Sequence, residues 1–397
     1  MGKRGNGEGS VYQRSDGMWI ASLVLVDGKR KTFSSKRRQV VARKLAEALR
    51  DREKGLTIIT DERLTVGAYL AQWLDRMTPP RRVRPSTHRQ YTHSLAHIIS
   101  AYGDLRLTRL TAAHLTTLDA RLQRPEPPAD GGKTTRPLSA TTVHLAHTVL
   151  RKALGDAVKL DLIPANVTDR VDAPKARRPP IEPLTPEETQ RFLEAVQGER
   201  LEALYILAIA TGMRIGELLG LTWRHVDLEA GRLSVVATLQ RAPGPGKTGA
   251  DRWELAKPKT KSSQRSIRLS PLAVDALRAH RKRQLAERLA VADVWADRDL
   301  VFCDELGDFL NAITIERYPY QRALARAGIP HKRFHDLRHT AATSYLAQGH
   351  SLKAVSAMLG HSSIAITGDI YAHVTGAMED ALTATMDAIL SRNGVSR

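Results

Sequence analysis

Five side chains in the C-terminal half of the chain carry the functional groups needed to break a phosphodiester bond. Two guanidiniums can each donate paired hydrogen bonds to the non-bridging oxygens of a phosphate, and two imidazoles can donate or shuttle protons. A phenol can attack phosphorus. The sequence supplies these groups as Arg214, His335, Arg338, His361 and Tyr371. Such a set would cleave DNA without a metal ion.

The arginine at position 214 stands in Ala-Thr-Gly-Met-Arg-Ile-Gly-Glu-Leu. The apolar run 204–211 before it predicts a buried helix that ends at Gly212, which would fix Arg214 at a helix junction. Glu217 lies three residues further on and shares a face with Arg214 if the segment is helical. We therefore expect Glu217 to hold this guanidinium or a neighbouring imidazole, as a supporting residue.

The motif Phe-His-Asp-Leu-Arg-His-Thr contains His335 and Arg338 at helical spacing i and i+3. Both side chains should project from one helix face, while positions 334, 337 and 341 pack on the other. His339 is interpreted as structural. A metal site formed by His331, His335 and His339 is geometrically possible, but no acidic or cysteine ligand completes it, so no metal is expected.

A predicted helix, a glycine turn and a second helix surround Leu-Gly-His-Ser-Ser, which contains His361, and Tyr371 follows ten residues later. A helix-turn-helix DNA reader is the alternative interpretation of this pattern. In that case His361 would be a helix cap and Tyr371 a core residue. Tyr318 and Tyr320 are the other candidate phenols, although neither follows a Gly-His-Ser-Ser turn.

Taken together, these motifs resemble the tyrosine recombinases, the phage integrase family, over the C-terminal half of the chain. The resemblance implies that Tyr371 attacks the scissile phosphate and forms a 3′-phosphotyrosyl link, while the arginines and histidines stabilise the pentacoordinate phosphorus. It also implies that a hairpin lysine, Lys259 or alternatively Lys261, protonates the departing 5′ oxygen. Family members act as tetramers on paired double-stranded DNA sites, and the chemistry needs neither ATP nor another cofactor.

Composition agrees with a nucleic-acid partner. The 397-residue chain has 61 Lys+Arg against 42 Asp+Glu, a formal charge of +19, and such an excess attracts a polyphosphate backbone. Cys303, the only cysteine, is predicted to be buried and inert. Because no signal region or bilayer-length apolar stretch is found, we expect a soluble cytoplasmic protein with no membrane partner.

The length predicts a multidomain α+β protein. Residues 1–58 have three short strand patterns, 11–13, 19–25 and 31–33, followed by a helical run at 38–52. This small three-stranded sheet with a helix resembles the arm-binding module of some integrases. Its candidate DNA-binding residues are Lys29, Arg30, Lys31, Lys36, Arg37 and Arg38. The alternative is a solvated β-ribbon that only assists folding.

Residues 64–172 predict four helices, and their position before the chemistry resembles the family's helical core-binding domain. The first begins after Thr65, the second after Pro85, the third after Thr111 and the fourth near Ser139. A proline-rich basic linker follows at 173–183. Arg177 and Arg178 there either contact phosphate or belong to a plain solvated strap.

Residues 184–397 predict a mainly helical catalytic domain with a small antiparallel sheet, whose strands cover 232–239 and 263–269. Between them, Gly246-Lys247-Thr248 imitates a phosphate-binding loop. Arg241 occupies the required upstream glycine position, so the segment is interpreted as a hairpin loop. The last predicted helix carries one apolar stripe that resembles a tail docking on a neighbouring protomer, with intramolecular packing as the alternative. Its members are Val374, Met378, Leu382, Met386, Ile389 and Leu390.

The resemblance implies a site-specific recombinase that integrates or excises a mobile element. It would use both core and arm sites, with a small excisionase or directionality factor as a further partner. Two alternatives remain at this point. One is strand relaxation of the type IB topoisomerase kind, which would need no second class of site. The other is a non-catalytic DNA-binding regulator, in which the five side chains would have no chemical role.

Overall fold

The computed structural model describes residues 9–24, 30–53, 63–78, 82–124, 137–175, 181–242, 252–257, 264–371 and 383. They fall into two compact units, residues 1–178 and 179–397. Helices accompanied by small antiparallel sheets give the mixed α+β class that the sequence predicts. No helix in these ranges combines the length and the hydropathy that crossing a bilayer requires.

A three-stranded antiparallel sheet and one helix open the first unit, as predicted. The strands are β1 (Ser10–Gln13), β2 (Trp19–Val24) and β3 (Arg30–Ser35), with β2 in the centre, and the helix is α1 (Arg38–Glu53). Because side chains alternate across a strand, one face carries the apolar residues that pack on α1. The resulting small core consists of Ala21, Leu23, Phe33, Val41, Leu45 and Ala48.

Four helices build a separate core in the same unit. They are α2 (Val66–Arg76), α3 (Pro85–Tyr102), α4 (Ala112–Leu122) and α5 (Ala140–Lys159). The predicted starts are confirmed, since the side chains of Thr65, Thr111 and Ser139 accept hydrogen bonds from the first turns. Two buried aromatic residues link α2 to α5. The Tyr69 hydroxyl donates to the Ala153 carbonyl at 2.5 Å, and Trp73 Nε1 donates to Asp156 Oδ2 at 2.9 Å.

The second unit is mainly helical. Its first helix, α6 (Pro186–Val196), begins at a capping box in which Thr185 and Glu188 exchange hydrogen bonds, as the sequence predicts. The others are α7 (Glu202–Thr211), α8 (Ile215–Leu219), α9 (Pro271–Val291), α10 (Ala312–Ile315), α11 (Gln321–Arg326), α12 (Asp336–Ala347), α13 (Leu352–Leu359) and α14 (Ile364–Tyr371).

Two small antiparallel sheets accompany these helices. One has the order β4 (Val226–Asp227), β5 (Arg232–Val235), β8 (Arg265–Arg268). The other pairs β6 (Thr238–Arg241) with β7 (Trp253–Ala256). Position 263 of the predicted second strand lies outside the described residues, as does the loop 246–248.

The prediction of one continuous strand over 232–239 is wrong. The chain leaves the first sheet after Val235 and enters the second at Thr238. The reason is tertiary packing, because β6 lies directly against α8. A Cβ added at Gly216 would meet Thr238 Oγ1 at 2.7 Å, and one added at Gly220 would meet the Leu239 nitrogen at 2.8 Å. β7 was not predicted from the sequence, because its partner β6 becomes a separate strand only where the chain leaves the first sheet.

Cys303 is buried, as predicted, in an isolated bridge to Phe309. Its Sγ accepts a hydrogen bond from Gln284 Nε2 at 3.0 Å. Burial raises the pKa of this thiol, so the thiolate is disfavoured. The interpretation of Cys303 as an unreactive core residue therefore agrees with its surroundings.

Candidate active site

Arg214 lies where α7 turns into α8. α7 is almost wholly buried, and it ends as predicted at Gly212, whose φ of 61° is left-handed. A Cβ at this position would overlap Cδ2 of Leu359, so glycine is required by both conformation and space. Arg214 follows two residues later as the residue that precedes α8. The buried helix and the tight turn fix its backbone.

The carboxylate of Glu217 holds Arg214 in place, as the sequence predicts. Arg214 Nη1 donates to Glu217 Oε1 at 2.9 Å, and the Arg214 backbone nitrogen donates to Oε2 at 3.1 Å. The Glu217 side chain is only 4% exposed, whereas that of Arg214 is 40% exposed. The carboxylate is thus the buried anchor of a guanidinium that still faces solvent.

A third residue, Arg265 on β8, shares this carboxylate. Arg265 Nη2 donates to Glu217 Oε2 at 3.0 Å. Burial alone would raise the pKa of Glu217, but hydrogen bonds and charge from Arg265 and Arg214 lower it below its ordinary value. Glu217 is therefore ionised at neutral pH and forms an ion pair with two arginines.

Arg338 lies within α12 and is buried, with 3% of its surface exposed. Its Nη1 donates to the Gly212 carbonyl at 2.7 Å, and its Nη2 donates to the Leu359 carbonyl at 2.8 Å. One carbonyl belongs to the turn before Arg214 and the other to the end of α13. Arg338 consequently fastens two loops of the site to α12. Phe334, Leu337 and Ala341 are buried, as predicted.

His335 immediately precedes α12 and is exposed overall, one turn away from Arg338. Its ring contacts that of His339 edge-on, with centroids 5.1 Å apart. The pKa of His335 is lowered to about 4. Partial burial of the ring is the largest cause, and electrostatic contributions from His339, Arg338 and Arg214 add to it. The imidazole is therefore neutral near pH 7.

His361 follows the left-handed Gly360 that ends α13. Its Nδ1 lies 2.8 Å from Oγ1 of Thr367, a fully buried residue of α14. Desolvation lowers the pKa of His361 to about 4, with further contributions from Arg338, Arg214, His339 and Arg265. The predicted helix, glycine turn and second helix are thus confirmed as α13 and α14, and the turn presents His361 beside the arginines.

Residues predicted from distant parts of the chain therefore form one cluster. Arg338 donates to the carbonyl of Gly212, two residues before Arg214, and to that of Leu359, two residues before His361. The described residues of this cluster give it an excess of positive charge. Such a cluster is suited to an anion with several oxygens, such as a phosphodiester.

Tyr371 is the last residue of α14. α14 therefore connects the His361 turn to Tyr371. The side chain of Tyr371 lies outside the described part of the molecule. Lys259 and Lys261 also lie outside the described residues. They belong to the segment that joins β7 to β8 in sequence, and β8 carries Arg265.

The rival phenols occupy different surroundings. Tyr320 is fully buried, its hydroxyl donates to the Arg333 carbonyl at 3.4 Å, and burial raises its pKa. Ionisation of this phenol is therefore strongly disfavoured. Tyr318 is 54% exposed and lies one residue before Pro319 in a π-helical turn. Neither residue belongs to the cluster of arginines and histidines.

Arg265 was missed from the sequence. A signal was present, because Arg265 and Ile267 are two residues apart on one strand and so share a face, and Ile267 is buried. An arginine on the inward face of a strand is rarely placed there without a partner. Within the described ranges, no cluster of three His, Cys, Asp or Glu residues is arranged to hold a metal ion.

The described candidate DNA-binding residues of the first unit lie at the start of β3 and between its end and the first residue of α1. Arg30, Lys36, Arg37 and Arg38 are exposed. Lys31 Nζ lies 5.5 Å from the centroid of the Phe33 ring, and the Arg38 guanidinium lies 5.5 Å from that of Trp19. Lys29, Arg177, Arg178 and the apolar tail stripe 374–390 lie outside the described residues.

The chain is similar to known integrases and tyrosine recombinases. A model described as the phage integrase family matches residues 182–378. An integrase of Streptomyces ambofaciens is 29% identical over 408 residues, covering 98% of each chain. A protein named tyrosine recombinase XerC-like, from Caldanaerobacter subterraneus subsp. tengcongensis, is 39% identical over 199 residues, covering 49% of this chain and 51% of the relative. The chain therefore spans about half of that relative and nearly all of the Streptomyces integrase.

Solved structures share the fold at low identity. The Tn1549 transposon integrase, bound to a circular intermediate DNA, superposes with a TM-score of 0.64 at 21% identity, covering 82% of this chain and 99% of that one. A lambda integrase tetramer bound to a Holliday junction gives a TM-score of 0.56 at 18% identity, with 93% and 96% covered. The arrangement of helices and small sheets around the cluster is thus one that DNA-bound integrases also have.

Proposed function

We propose that this chain, a member of the phage integrase family by its match over residues 182–378, is a tyrosine site-specific DNA recombinase that cuts and rejoins DNA through Tyr371 at the cluster described above. The observation that carries the proposal is a pair of hydrogen bonds: Arg338 donates to the carbonyl of Gly212, two residues before Arg214, and to that of Leu359, two residues before His361. The helix that begins beside His361 ends at Tyr371.

In the cutting step, the Tyr371 oxygen attacks the scissile phosphorus while the bond from phosphorus to the 5′ oxygen breaks. A free phenol ionises near pH ~10, so its proton must pass to a base as attack proceeds. His335 and His361 are suited to accept it, since their lowered pKa values leave both imidazoles neutral at pH 7. Lys259, or alternatively Lys261, returns a proton to the departing 5′ oxygen.

The arginines stabilise the negative charge that grows on the non-bridging oxygens. Arg214 supplies the exposed guanidinium, and Arg338 fixes the turn before Arg214 and the end of α13. One phosphorus–oxygen bond is exchanged for another, so the bond energy is kept in the 3′-phosphotyrosyl link and no external energy source is needed. Attack by the 5′ hydroxyl of a second duplex then reverses the step and exchanges strands.

Two duplexes carry four half-sites, and each half-site needs one Tyr371. We therefore assign the reaction to a tetramer that passes through a Holliday junction, in the service of integrating or excising a mobile element. Residues 1–58 serve arm-type sites through the exposed basic residues around β3, and residues 64–172 together with 184–397 serve the core site. A directionality factor would act by changing which arm sites are occupied.

The nucleophile is tested with a nicked suicide substrate that carries a half-site from a junction of the element. The wild-type protein should accumulate a covalent protein–DNA complex at neutral pH without added metal or ATP. Tyr371→Phe removes one oxygen, so it should bind the half-site equally well and form no covalent complex. Tyr318→Phe is the matched control and should react like wild type. Covalent complex persisting in Tyr371→Phe would refute the assignment, and a wild-type protein that binds but never cleaves would favour a non-catalytic regulator.

The division between arm and core binding is tested by removing residues 1–58. Binding to arm sequences should be lost, while salt-sensitive binding and cleavage at the core site should remain, because the phosphate contacts there belong to the rest of the chain. Loss of core-site cleavage at low salt would contradict the modular assignment. The same truncated protein separates recombination from simple relaxation, since relaxation of supercoiled DNA has no need of arm sites.

A further inference from the structure

Arg265 begins β8 between two exposed neighbours, Gln264 and Ser266, yet its own side chain is only 7% exposed. Burying a guanidinium is costly unless charge and hydrogen bonds compensate for the lost water. Two groups that compensate Arg265 belong to elements of the active site, since Glu217 lies in α8, just after Arg214, and Met358 lies at the end of α13, just before the His361 turn. Its position is therefore a feature of the site and not of the sheet alone.

The side chain of Arg265 connects α8 to the end of α13. Nη2 donates to Glu217 Oε2 at 3.0 Å, and Nε donates to the Met358 carbonyl at 2.5 Å. The neighbouring carbonyl, that of Leu359, is the one that accepts from Arg338. Two arginines thus hold successive carbonyls at the end of α13, just before His361.

The charge balance around Glu217 gives Arg265 a second effect. If Glu217 were paired with Arg214 alone, its full negative charge would act on the guanidinium that must face the phosphate. Because Arg265 occupies Oε2 and Arg214 occupies Oε1, the three groups carry a net charge of one positive unit. The exposed Arg214 therefore keeps attraction for an anion while its position stays fixed.

We propose that Arg265 is a positioning residue for DNA cleavage, acting through Glu217 on Arg214 and through the Met358 carbonyl on the His361 turn. This inference rests on the proposed function. A purely structural role is the competing explanation, since a buried ion pair also affects folding. The two differ in what they predict when the charge on the scissile phosphate is removed.

The test compares single-turnover cleavage of two suicide substrates, one with an ordinary scissile phosphate and one with a methylphosphonate at that position. The methylphosphonate lacks one non-bridging negative charge, so it has less need of Arg214. Arg265→Met should slow cleavage of the phosphate substrate about 10- to 100-fold but that of the methylphosphonate by no more than about 3-fold. Arg214→Met should show the same selectivity, and Arg265→Lys should fall between, because an ammonium cannot reach both partners.

Arg268→Met is the matched control, as Arg268 is an exposed arginine on the same strand. It should leave the ratio of the two rates unchanged. Equal losses of Arg265→Met on both substrates, or a rate equal to that of Arg268→Met, would overturn the inference while leaving Tyr371 chemistry intact. A wild-type protein that cleaves neither substrate would instead refute the proposed function itself, and the inference with it.

A second variant guards against loss of folding. Arg265→Met leaves the buried Glu217 carboxylate with one partner fewer, so the double variant Arg265→Met/Glu217→Gln also replaces that carboxylate with a neutral amide. It should bind the half-site like wild type and should lose more of its cleavage rate on the phosphate than on the methylphosphonate. Half-site binding with undiminished cleavage of the phosphate substrate would show that neither residue positions Arg214.

Discussion

The two arginines of the site are held in opposite ways. At the α7–α8 junction, Arg214 is bound by a buried carboxylate and keeps 40% of its side chain exposed. Within α12, Arg338 is 3% exposed and donates to the carbonyls of Gly212 and Leu359. One guanidinium faces solvent, and the other holds together the segments around it.

Two arginines of one cluster therefore do not have equal roles. A buried guanidinium that satisfies main-chain carbonyls is part of the fold, and its loss leaves acceptors without donors. An exposed guanidinium paired with one carboxylate is chiefly a chemical group, and its loss leaves the fold in place. Both contribute positive charge to the cluster, and together with burial this charge lowers the pKa values of His335 and His361.

The largest expected effect comes from Arg338→Met. The carbonyls of Gly212 and Leu359 would lose their buried donor, so the free energy of unfolding should fall by about 2–4 kcal/mol. Cleavage of the suicide substrate should also be lost. Urea denaturation and covalent-complex formation measure the two effects separately.

Arg214→Lys is the counterpart that sharpens the comparison. Lysine keeps the charge near Glu217 but cannot donate a planar pair of hydrogen bonds, so cleavage should fall about 100-fold or more. The free energy of unfolding should change by less than about 1 kcal/mol, since the pair is partly exposed. If Arg214→Lys destabilised the protein as much as Arg338→Met, the division of roles would be wrong.

A comparable loss of stability is expected from Gly212→Ala, which alters the turn between the two regions. Left-handed backbone costs alanine about 1 kcal/mol, and overlap with the buried Leu359 side chain adds about 1–3 kcal/mol. Gly328→Ala is the control, because φ there is 65° but nothing lies within 4 Å of the added Cβ. Gly328→Ala should therefore cost only the conformational part. Equal destabilisation of the two variants would mean that Leu359 does not pack closely against Gly212.

The last of these predictions concerns how stability depends on pH. The folded-state pKa values of His335 and His361 are about 4, below the unfolded value near ~6.5. Between these limits the unfolded chain binds more protons than the folded one, so stability is fully present above the unfolded pKa and is lost as pH falls toward about 4.

Urea midpoints measured across this range should decline on acidification. The decline should be reduced in His361→Gln. His331→Gln, which replaces an exposed histidine of the same unit, should leave the profile unchanged. A wild-type midpoint that stayed constant down to about pH 4 would contradict the lowered pKa values.

Local signals in the sequence predicted the elements well. Thr65, Thr111, Ser139 and Thr185 cap helices where expected, and Gly212 ends α7. These features depend on hydrogen bonds within a few residues, which is why the sequence alone suffices. The pairing of Arg214 with Glu217 was predictable for the same reason, since the two residues are three positions apart.

Contacts between distant segments were harder to predict. The strand expected over 232–239 breaks because β6 packs on α8, and Arg265 reaches Glu217 across 48 positions of sequence. The two carbonyl partners of Arg338 were likewise invisible, because main-chain acceptors carry no residue-type signature. The sequence motifs therefore identified Arg214 and Arg338 as residues of the cluster, whereas only the fold shows that Arg214 is exposed and Arg338 is buried.

The most direct test is to identify the residue that becomes joined to DNA. The covalent complex trapped on a suicide substrate is digested with trypsin and a nuclease, and the nucleotide-bearing peptide is sequenced by mass spectrometry. Tryptic peptide 354–392 contains Tyr371 as its only tyrosine, whereas peptide 318–322 contains Tyr318 and Tyr320. The adduct should lie on peptide 354–392, at Tyr371. An adduct on 318–322 would contradict it.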